Sequence, residues 1–130
     1  MALSLDLEQR PKYWRFSLSG DLDYDVAEEF QAGIDRILES EPRFAIVDMS
    51  GVRYLDSSGL GVLLSMSREY EDVGGRLVLI VNESVDTILT LVRLNGIFAT
   101  ARTMEDAVRM LEHDTPRRWS EVWAEKAAAQ

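Results

Sequence analysis

Apolar and polar positions alternate along the start of the chain: Leu3, Leu5 and Leu7 with Ser4 and Asp6, then Trp14, Phe16 and Leu18 with Arg15 and Ser17. A period of two marks half-buried strands, and the short Gln9-Arg10-Pro11-Lys12 turn between them predicts a hairpin. After Gly20 the period changes. Val26, Phe30, Ile34, Ile37 and Leu38 recur at three- and four-residue intervals, which predicts an amphipathic helix with Asp25 as N-cap, ending near Ser40 ahead of Pro42. Phe44 to Asp48 is a short, nearly all-apolar run and reads as a buried central strand that stops at Asp48. A second helix from about Ser58 turns Leu60, Leu63, Leu64 and Tyr70 inward and stops at Gly74-Gly75, where glycine supplies the left-handed exit.

Leu77 to Val81 repeats the buried-strand pattern. Ser84 then reads as the cap of a helix carrying Val85, Ile88, Leu89 and Val92, ending at Asn95-Gly96. Ile97-Phe98-Ala99 has room only for a short edge strand, and Thr103-x-x-Asp106 opens a last helix with Ala107, Val108 and Leu111 inward. Strand-then-helix units imply parallel pairing through right-handed crossovers, while the initial hairpin is antiparallel. The expected fold class is therefore α/β, with a mixed central sheet and helices mainly on one face. Residues 1–112 form the expected domain. Residues 113–130 are an extension, read as an added helix whose Trp119, Val122 and Trp123 pack on the domain or across a homodimer.

The chain of 130 residues holds 23 acids against 14 bases, a formal charge of -9. That balance repels phosphate backbones and argues against direct nucleic-acid binding; Arg117 and Arg118 are too few to reverse it. With no cysteine there is no disulfide, thiolate nucleophile or cysteine metal site. No apolar run approaches the ~20 residues of a membrane span. The first residues lack a basic region followed by an apolar block, so the expected location is the cytoplasm.

Several motifs invite chemistry and stop short of it. Asp21-Leu-Asp-Tyr-Asp25 opens like a calcium loop, but Val26 and Ala32 stand where glycine and glutamate are required. His113, the single histidine, lies far along the chain from any candidate serine, and the G-x-S-x-G elbow is missing because Leu55 replaces its first glycine. Gly74-Gly75 follows a helix and precedes a strand, the reverse of a phosphate-cradling loop. Neither an enzyme nor a cofactor is expected. Asp56-Ser57-Ser58-Gly59 is different. One serine suffices to cap the helix it precedes, so the second hydroxyl is left at a helix mouth, beside Asp56, where an added phosphate would make the loop strongly anionic.

At this motif the chain resembles the STAS domains, in particular the bacterial anti-sigma factor antagonists. The resemblance runs from Leu3 to Leu111 through "SGDLD" at Ser19–Asp23, "FAIVDMSGVRYLDSSGLGVLL" at Phe44–Leu64, "GGRLVLI" at Gly74–Ile80, "LTLVRLNGIF" at Leu89–Phe98 and a closing "EDAVRML". It implies the STAS fold and a binding module switched by phosphorylation. By that resemblance Ser57 is the phosphorylated residue and Ser58 is structural. The partner is an anti-sigma factor that is also a serine kinase, captured when Ser57 is unmodified and released when it is phosphorylated; a serine phosphatase resets the switch. Asp21, Asp23, Asp56, Ser58 and Gly59 belong to the implied switch loop and contact surface. The alternative within the same family is a stressosome scaffold or an accessory subunit of a lipid or anion transport system.

Overall fold

The computed structural model of the protein describes residues 4–38 and 40–113. Nine elements succeed one another: β1 (Ser4–Gln9), β2 (Trp14–Leu22), α1 (Tyr24–Ile37), β3 (Phe44–Leu55), α2 (Ser57–Asp72), β4 (Arg76–Ile80), α3 (Glu83–Leu91), β5 (Ala99–Ala101) and α4 (Met104–His113). The five strands form one sheet in the order β1-β2-β3-β4-β5. β1 and β2 pair antiparallel, and β2, β3, β4 and β5 are parallel neighbours, as the hairpin and the crossovers require.

Alternation sorts the side chains. Phe16, Leu18 and Leu22 of β2, Ala45, Val47 and Met49 of β3, and Leu77 and Leu79 of β4 face one side. There they meet Phe30 and Ile34 of α1, Leu63, Met66 and Tyr70 of α2, and Val85 and Leu89 of α3. Phe16 and Phe30 touch edge to face with centroids 6.3 Å apart, a geometry worth about 1 kcal/mol beyond its burial. The other side holds a smaller cluster of Ile46, Val78, Ile80 and Ala101 under Ala107 of α4. Three of the four helices thus share a face.

Several boundaries differ from those the pattern predicts. β3 does not stop at Asp48. Beyond its register with β4, which ends at Asp48↔Ile80, it continues against β2 as far as Leu22↔Leu55, with irregularities at Ser17/Ser19 and Gly20/Asp21. Ser50 turns its amide and hydroxyl onto the Asp48 carboxylate at 3.0 and 2.7 Å, so a turn-like sequence is absorbed as a kink. α3 is capped by Asn82, not Ser84, and it ends at Leu91, ahead of Asn95-Gly96, because Arg93 takes the left-handed turn at φ 61°. The exit then delivers Phe98 to the core, which places the edge strand at Ala99–Ala101 and not at Ile97–Ala99. Thr103 accepts the Asp106 amide at 3.2 Å, as its spacing predicts. α2 ends at the glycines, with Gly74 at φ 82° and the Gly75 amide donating to the Tyr70 carbonyl at 2.8 Å. The expected packing of Trp119, Val122 and Trp123 lies outside the described residues.

Candidate functional site at the mouth of α2

β2 and β3 run in parallel and stop together at Leu22 and Leu55, so the helices that come after them, α1 and α2, begin side by side. A helix start leaves backbone amides without partners, and here two starts share one answer. Asp56, the N-cap of α2, accepts the amides of Ser58 and Gly59 on Oδ1 at 2.9 and 3.1 Å. Its Oδ2 accepts the amide of Tyr24, the first residue of α1, at 3.0 Å. Asp23 supplies the rest of the α1 cap, with Oδ1 3.1 Å from the Asp25 amide. Asp25 is therefore the recipient of the cap rather than the cap, since the chain is still extended at Asp23.

The carboxylate of Asp56 changes the meaning of the two serines. Neither hydroxyl is needed to cap α2, although the motif alone assigns that task to one of them. Ser57 is the first helical residue and exposed; Ser58, one position on, is half-buried. Gly59 is buried, and a Cβ on it would run into the carbonyl oxygen and side chain of Leu22. That same carbonyl accepts the Asp56 amide at 3.3 Å. Only a residue without a side chain lets the α2 mouth close onto the end of β2.

Of the residues singled out from sequence, Asp23, Asp56, Ser57, Ser58 and Gly59 converge here. Asp21, still in β2, faces Arg53 at 3.4 Å. Two neighbours carry no sequence signal of their own: Tyr24 and Tyr54 are 76% and 52% exposed, one joined to Asp56 by its amide and the other two residues ahead of it. Tyr54 is turned outward by its register in β3, and Tyr24 by its place as the first residue of α1. Asp21 pairs with Arg53 and Asp23 accepts the Asp25 amide, and among the described residues no group of three or more histidine, cysteine, aspartate or glutamate side chains could hold a metal. His113 is the last residue of α4, the helix that packs on the face of the sheet opposite α2. An exposed hydroxyl on the first turn of a helix is suited to being modified and to being touched.

Comparison with known proteins agrees with this arrangement. The STAS domain model matches residues 4–107, and the chain belongs to the STAS domain family. Over 64 residues it is 36% identical to an anti-sigma F factor antagonist of Lysinibacillus sphaericus, a match covering 48% of this chain and 55% of that protein; the chain thus spans about half the length of this curated relative. Its fold resembles that of an anti-sigma factor antagonist from Thermotoga maritima (TM-score 0.77, 22% identity, 84% of this chain and 95% of that one). The anti-sigma factor antagonist SpoIIAA is similar in its unphosphorylated form (TM-score 0.71, 26% identity, 87% and 100% covered). The phosphorylated Bacillus SpoIIAA is similar as well (TM-score 0.64, 27% identity, 82% and 97% covered). Among the described residues no helix is long and apolar enough to cross a membrane.

Proposed function

We propose that this chain is an anti-sigma factor antagonist, a cytoplasmic binding module without turnover of its own, switched by phosphorylation of Ser57. Unmodified, it captures an anti-sigma factor that is also a serine kinase; phosphorylated, it lets go, and a serine phosphatase restores it. The observation that carries this reading is the division of labour at the α2 mouth, where Asp56 does the capping and leaves Ser57 exposed on the first turn. The kinship with a protein solved in both phosphorylation states supports it.

The physics of release rests on charge. A phosphate on Ser57 adds about -1.5 to -2 beside the Asp56 carboxylate, and a kinase must bring its own nucleotide phosphates to that hydroxyl. Forcing like charges together at an interface costs several kcal/mol, and each ~1.4 kcal/mol is tenfold in affinity, so binding should fall by about a hundredfold or more. The test is capture of the partner from the native cytoplasm, then titration of variants against it. Ser57→Ala should bind and resist phosphorylation; Ser57→Asp should stay folded and bind at least about a hundredfold more weakly. Full-strength binding by folded Ser57→Asp, capture of a transport ATPase in place of a kinase, or ATP hydrolysis proportional to this chain alone would each defeat the proposal.

A further inference from the structure

Four large apolar side chains are exposed among the described residues: Tyr24, Tyr54, Leu91 and Val92. Single exposures of this kind are ordinary, but these fall into two pairs at opposite ends of the sheet. Tyr24 and Tyr54 stand where β2 and β3 finish. The Tyr24 amide is bound to Asp56 Oδ2 at 3.0 Å, and Tyr54 is in register with Asp21, shortly before Ser57. Leu91 and Val92 close α3, which runs from the end of β4 back to the start of the parallel strand β5, so they lie at the far end.

Charge separates the two pairs. Residues 20–28 and 52–60, which carry the tyrosines, hold Asp21, Asp23, Asp25, Glu28 and Asp56 against one base, Arg53, and Arg53 meets Asp21 at 3.4 Å. Around the aliphatic pair, residues 87–101 hold no acid and a single arginine, Arg93. Glu28 is exposed and follows Tyr24 on α1 at the i,i+4 spacing that makes two side chains neighbours on a helix surface. A ring beside a carboxylate suits one side chain in particular. Arginine lays its planar guanidinium on an aromatic face and offers its N–H fork to a carboxylate, which neither lysine nor an apolar side chain does. Phosphate-bearing surfaces, whether nucleic acid or lipid, are repelled by the same carboxylates.

We propose that Tyr24 and Tyr54 are the anchors by which the unmodified chain holds its protein partner, and that the partner meets them with arginines, one of them lying on the Tyr24 ring and pairing with Glu28. The docking place, over the α2 mouth, rests on the proposed function; the anchors and the chemistry of the partner go beyond it. The surface then divides its work. The tyrosines supply affinity, since tyrosine and arginine are the residues on which binding energy concentrates at protein interfaces, and Ser57 supplies release. A second copy of the chain could offer Arg93 beside Leu91 and Val92, but that contact joins opposite ends of the sheet, a head-to-tail arrangement that builds chains or rings and shows in the mass in solution.

The probe is the purified protein that the unmodified full chain captures, titrated against substitutions in the full chain. Both rings are exposed, so the variants should keep the wild-type melting temperature. Tyr24→Ala and Tyr54→Ala should each weaken binding about tenfold or more, and Leu91→Ala and Val92→Ala by less than about twofold. Tyr24→Phe should bind within about threefold of the wild type, whereas Tyr24→Leu should lose about as much as Tyr24→Ala, because leucine keeps apolar area and not the ring. Glu28→Gln should weaken binding by about threefold, and added salt should weaken the wild-type complex. Ser57→Asp is titrated alongside. If it binds at full strength while the tyrosine variants do not, the switch fails and the anchors stand. Unchanged affinity in Tyr24→Ala and Tyr54→Ala would overturn the proposal, as would tight binding by Tyr24→Leu. Tyrosine variants that only dissolve an oligomer of this chain and leave the partner's affinity unchanged would assign the rings to a second copy and overturn it too.

Discussion

The mouths of α2 and α3 sit at the same end of the sheet and are built from similar sequence, Asp56-Ser-Ser-Gly and Asn82-Glu-Ser-Val, with an exposed serine near the start of each. They are put to different use by what the capping side chain holds. Asn82 spends both ends inward: its oxygen accepts the Val85 amide at 2.8 Å, and its amide group lies 2.7 Å from the Val52 carbonyl and 3.1 Å from that of Ser50. It thereby serves the stretch of β3 that has outrun β4, substituting for a missing strand. Asp56 instead ties two helix starts to each other. The first turns differ too. That of α3 carries Glu83 and Asp86, whereas that of α2 carries no acid after its cap. A phosphate at Ser84 would join Glu83 and Asp86 within one first turn, whereas the first turn of α2 carries no acid after Asp56, so its free amides tolerate an added phosphate better. Similar motifs thus yield an anchor in one place and, in the proposed function, a switch in the other.

Gly59→Ala attacks the α2 mouth most severely. A Cβ there collides with the Leu22 carbonyl, so the substitution should cost about 3 kcal/mol or more by denaturant melting. Gly61→Ala, two residues on, meets nothing within 4 Å and should stabilise by about 0.5 to 1 kcal/mol, since alanine is the better helix former. Equal effects at the two glycines would remove the close approach on which the joined mouths depend.

The α3 mouth should yield to Asn82→Ala by about 2 to 3 kcal/mol, through one lost cap and carbonyls of β3 left without a donor. Ser84→Ala, at the position the sequence favoured as cap, should stay within about 0.5 kcal/mol. A reversed order would mean that the serine, not the asparagine, starts α3.

A smaller effect comes from the far end of α2. Tyr70 is fully buried and its hydroxyl has no hydrogen-bond partner among the described residues; burial, with help from the Glu69 charge, raises its pKa above the ordinary 10.0. Above pH 10 the unfolded chain loses this proton while the folded chain keeps it, so the unfolded state binds fewer protons and stability falls as pH rises. Tyr70→Phe should remove that part of the alkaline slope and leave stability at pH 7 unchanged or higher by about 1 kcal/mol. An unchanged alkaline slope would contradict the burial.

The order of strands and helices, the mixed sheet and the Asp56–Gly59 loop were legible because period-two and period-3.6 stretches alternate with little overlap. The caps were not. Asp25 for Asp23, Ser84 for Asn82 and a serine for Asp56 are one error made three times: each helix start offers several capping residues within three positions, and the one used is the first polar residue past the end of its strand. Strand register decides that, and register depends on partners distant in sequence. Asp48 to Gly51 misled for the same reason, since a local turn signal yielded to continued pairing with β2. Gly51 permits it, a Cβ there lying 2.8 Å from that of Ser19. The outward Tyr54 results from the same long-range register.

Peptide mass mapping of phosphate, after the chain has been incubated with the captured kinase and ATP, probes the switch most directly. The expected result is phosphate on Ser57, with Ser58 and Ser84 unmodified. Phosphate on Ser58 or Ser84 while Ser57 stays bare would contradict it.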